Sequence, residues 1–61
     1  MEKQTLIGAI LALPRPMAPA HAEWYVRVLP GAVVARLLSQ AQGRPDATAF
    51  LSQGFYRELF P

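Results

Sequence analysis

Cysteine is missing from all 61 residues, so no disulfide can restrain the chain and no thiolate can hold a metal. Histidine occurs once, as His21. A lone imidazole without cysteine falls short of the four protein ligands of a structural zinc site. Charge is sparse too: 16% of residues are charged and the net charge is +2, where an average globular domain carries roughly 25% charged residues. The six basic residues, Lys3, Arg15, Arg27, Arg36, Arg44 and Arg57, stand singly along the chain. Nucleic-acid binding gathers such groups on one face to displace counterions, so this scatter argues against it. Gly8, Gly31, Gly43 and Gly54 are isolated from one another, which excludes a glycine-rich phosphate cradle. Long apolar runs are also lacking. Residues 6–13 fall well short of the roughly 20 a bilayer requires, and 26–38 are interrupted by Arg27, Pro30 and Arg36. No transmembrane segment is expected.

Apolar side chains dominate what remains, at 52% of the sequence. A chain this short hides only about 60% of the surface its unfolded form exposes. It therefore cannot enclose Trp24, Tyr25, Phe50, Phe55, Tyr56 and Phe60 together with all of its Leu, Ile and Val residues. With disulfides and metals excluded, another protein surface is the remaining means of covering them. Aromatic residues and arginine also dominate interface energetics. The candidate partner-binding residues are accordingly Trp24, Tyr25, Phe55, Tyr56, Arg57 and Phe60.

Prolines and glycines divide the chain into short pieces that read as one small all-α domain of three or four helices. The first is predicted over residues 3–13, where Leu6, Ile7, Ile10, Leu11 and Leu13 lie near one stripe. Pro14, Pro16 and Pro19 then impose an extended connector over 14–19. Residues 21–29 carry two signals. Trp24, Val26 and Val28 alternate as in a strand, while Trp24, Tyr25, Val28 and Leu29 fit helical spacing. Pro19 as a first-turn residue and Glu23 four residues before Arg27 favour the helix, with a strand over 23–29 as the alternative. Residues 32–42 give a regular helical stripe of Val33, Val34, Leu37, Leu38 and Ala41. Gly43 stands where a helix end favours positive φ, and Pro45 follows. The last helix is predicted over 46–60, with Asp46 as its N-cap and Phe50, Leu51, Phe55, Leu59 and Phe60 as its apolar face. Gly54 falls inside it, consistent with either a break or a close helix contact.

Residues able to do chemistry lack company. His21 has only Glu23 as a nearby acid, and Thr5, Ser39, Thr48 and Ser52 stand outside any nucleophile motif. Glu23, Asp46 and Glu58 read as an ion-pair partner, a helix cap and a solvated helix residue, not as a catalytic acid pair. No catalytic residue, metal ligand or cofactor is assigned. The leading expectation is a small non-catalytic interaction protein, a homo-oligomer or an accessory subunit of a larger assembly. It would bury the apolar faces of the helices near 32–42 and 46–60 against its partner. Two alternatives remain. Ala20-His21-Ala22 has the form of a signal-peptidase site, so cleavage after Ala22 would leave an exported peptide of residues 23–61. Glu2 beside Lys3, the short apolar run and the crowded prolines oppose that and favour a cytoplasmic protein. Residues 37–54 could also form a DNA-binding helical hairpin with Arg36, Arg44 and Arg57 on phosphates, but its second helix has no basic residue before Arg57.

Overall fold

A computed structural model describes residues 2–60. Its elements are four α-helices: α1 (Lys3–Leu11), α2 (Pro19–Val28), α3 (Gly31–Ala41) and α4 (Ala47–Leu59). Helix α1 stops two residues before the predicted limit. The N–H groups of Ala12 and Leu13 donate to the carbonyls of Gly8, Ala9 and Ile10 at 3.1 to 3.3 Å, tightening the last turn before Pro14. Leu13 lies outside the helix yet is buried. The connector is not extended throughout. Arg15 adopts φ of 49°, in the left-handed region, so the chain bends sharply between Pro14 and Pro16. That conformation costs a non-glycine residue about 1–2 kcal/mol. Extended backbone returns at Ala18, with ψ of 146°, as expected of a residue before proline. Pro19 is the first residue of α2, where its missing N–H costs nothing.

Residues 23–28 are helical, which excludes the strand alternative. The face that matters is Ala22, Tyr25, Val26 and Leu29, spaced i, i+3, i+4 and i+7, and all four are buried. Trp24 and Val28 lie on the other side. The expected Glu23–Arg27 pair is not formed; among the described residues the ion pairs are Arg36–Glu58 and Arg44–Asp46.

Helix α3 follows its sequence pattern, burying Val34, Leu37, Leu38 and Ala41. Its exit is a type II turn: Gln42 has φ −59° and ψ 133°, Gly43 has φ 81°, and the Arg44 N–H donates to the Ala41 carbonyl at 3.1 Å. Asp46 takes the N-cap position of α4, its carbonyl accepting from the Phe50 N–H at 2.9 Å, but its side chain makes no capping hydrogen bond. Its carboxylate accepts two hydrogen bonds from Arg44, at 3.0 and 3.1 Å, and is drawn away from the helix N–H groups. Helix α4 runs through Gly54 without a break. A Cβ at Gly54 would stand 2.9 Å from Leu37 Cδ2, so glycine is what allows α3 and α4 to approach.

One hydrophobic cluster joins all four helices: Leu6 and Ile10 from α1, Tyr25 and Val26 from α2, Val34 and Leu38 from α3, and Leu51 and Phe55 from α4. Among the described residues no charged side chain is buried, and the buried Tyr25 hydroxyl is hydrogen-bonded. The accessible surface is 3990 Å², close to the about 3,900 Å² of an average monomer of this mass. The faces of α3 and α4 expected to meet a partner lie within this cluster, Val34, Leu37, Leu38 and Ala41 from α3 and Ala47, Leu51 and Phe55 from α4.

Two glycine substitutions test the helix contact. Gly8 is exposed with open space where a Cβ would go, so Gly8→Ala should raise stability by about 0.5–1 kcal/mol. Gly54→Ala gains the same helix propensity, but overpacking against Leu37 costs about 1–3 kcal/mol, so its net effect is zero or destabilising. Thermal melts of both variants check this; equal gains would contradict the α3–α4 contact.

Candidate interaction surface

Tyr25 carries the geometry of the site. Its ring is fully buried, and its hydroxyl donates at 2.8 Å to the backbone carbonyl of Leu51, across from α2 to α4. The same ring packs against Phe55 at a centroid separation of 4.9 Å. Burial pushes the Tyr25 phenol from 10.0 up to about 12, with the Glu58 charge adding to the effect.

Further rings are laid over this pair. Trp24 packs on Phe55 at 4.8 Å, and Tyr56 meets Phe55 edge-on at 6.0 Å. His21 approaches Trp24 at 5.8 Å. Together with Ser52 these residues line a shallow groove of about 170 Å³. Trp24 and Tyr56 form its rims, 46% and 63% exposed, and Phe60 stands beyond them at 75%. Val28 and Leu59, each one helical turn past Trp24 and Phe55, are also exposed. The result is an apolar ridge along α2 and the end of α4.

The six residues singled out from sequence divide between two roles. Trp24, Tyr56, Arg57 and Phe60 face solvent. Tyr25 and Phe55 do not; they are buried and form the floor on which the exposed rings rest, which corrects their assignment as contact residues. Adjacent helical residues point about 100° apart, so Trp24–Tyr25 and Phe55–Tyr56 each put one ring in and one out. Val28 and Leu59 were not singled out; their i+4 spacing from Trp24 and Phe55 was the available signal.

The other candidates are engaged elsewhere or solitary. Arg36 donates to Glu58 at 2.8 Å, tying α3 to α4. Arg44, besides holding Asp46, lies 4.5 Å over the Phe50 ring. Its hydrogen bonds hold the Asp46 carboxyl below its ordinary value. Thr48 donates to the Pro14 carbonyl at 3.1 Å, fastening the connector to α4. Among the described residues no three His, Cys, Asp or Glu side chains gather as metal ligands, and no helix is long and apolar enough to cross a membrane. Comparison with protein-family models, with curated proteins and with solved structures found no match.

The buried phenol gives a pH signature. Because the folded pKa is the higher one, the contribution of neutral Tyr25 is fully present below pH 10 and is lost as pH rises toward 12. Tyr25→Phe removes a net hydrogen bond of about 1 kcal/mol, equivalent to about 4–8 °C in melting temperature. Urea unfolding at pH 7 and pH 11 should show the wild-type advantage shrinking at the higher pH. A constant difference would contradict the buried hydrogen bond.

Proposed function

We propose that this chain is a non-catalytic interaction protein, a homo-oligomer or an accessory subunit of a larger assembly, that docks through the ridge of Trp24, Val28, Tyr56, Leu59 and Phe60. The observation that carries the reading is the exposure of Trp24, Tyr56 and Phe60 on a molecule whose core is otherwise closed. Contiguous apolar surface with aromatic residues at its centre is characteristic of binding faces.

Several features support this over the alternatives. The buried polar group with a shifted pKa, Tyr25, has its hydroxyl proton donated to a backbone carbonyl, and Glu58 acts on it only through its charge. Arg36 and Arg44 are held by Glu58 and Asp46, which leaves Arg57 alone of the arginines expected to meet phosphates and favours a protein partner. The reading keeps residues 2–22 in the acting molecule, since Leu6, Ile10 and Ala22 fill the same core as α3 and α4.

The test is a variant with Trp24→Ser, Tyr56→Ser and Phe60→Ser. Its melting transition should remain cooperative, because none of the three side chains belongs to the core. Native mass spectrometry after capture from the source cell should show a second copy or a stoichiometric companion with the wild type and neither with the variant. Recovery of the same species by both proteins, or of a bare monomer by the wild type, would contradict the reading.

A further inference from the structure

We draw no further inference here: the strongest candidate, the apolar ridge of Trp24, Tyr56 and Phe60 along α2 and the end of α4, exposes no more apolar area than an ordinary monomer does, and nothing in the structure shows what covers it.

Discussion

The contact between Tyr25 and the Leu51–Phe55 turn of α4 is the constraint on which this small molecule depends. Trp24 of α2 packs on Phe55 of α4, and so, from the inside, does the buried side chain of Tyr25. Its hydroxyl finds the Leu51 carbonyl, so a phenol that would otherwise be costly to bury is satisfied. Its ring sets the position of Phe55. With Ala22, Tyr25, Val26 and Leu29 turned inward on α2, and Ala47, Leu51, Gly54 and Phe55 on α4, the step of about 100° per residue puts Trp24 and Tyr56 on the opposite sides of their helices. The apolar ridge is thus a consequence of how the core was closed.

Small residues make that closure possible. Ala22, Ala41 and Ala47 are fully buried, and Gly54 accepts the Leu37 side chain. With four helices of 9 to 13 residues, a core cannot be thick, and backbones must come close for large rings to be covered. Polar pairs then fasten the periphery: Arg36 to Glu58 between α3 and α4, Arg44 to Asp46 across the turn before α4, and Thr48 to the connector at Pro14. Exposed pairs of this kind contribute little to stability, because solvent and salt screen them. Their structural effect is to fix the loop and helix ends around the core.

Much of this architecture could be read from the residues. The α3 stripe and the positive φ of Gly43 follow from spacing and from the absence of a Cβ. The sequence of 23–28 is ambiguous because the bulk of Trp24 and Val28 suggests burial at strand spacing, while the core face runs through Ala22, a small residue with a weak burial signal. Asp46 stands at the N-cap as its place in the sequence implies, but Arg44, two residues earlier, takes its carboxylate through charge-assisted hydrogen bonds. Arg15 gave no sign of its left-handed backbone, a conformation set by the packing of the segments on either side. That some rings must remain outside was legible from chain length; which ones depended on helix phase to within one residue.

The claim that the ridge of α2 and α4 is a contact face is tested most directly by amide correlation spectra of the full chain recorded over a titration with an apolar dye. The account expects dye-dependent shifts confined to residues 21–28 and 52–60, with α1 and the buried face of α3 unmoved. Spectra that superimpose across the titration, or shifts spread evenly over all four helices, would contradict it.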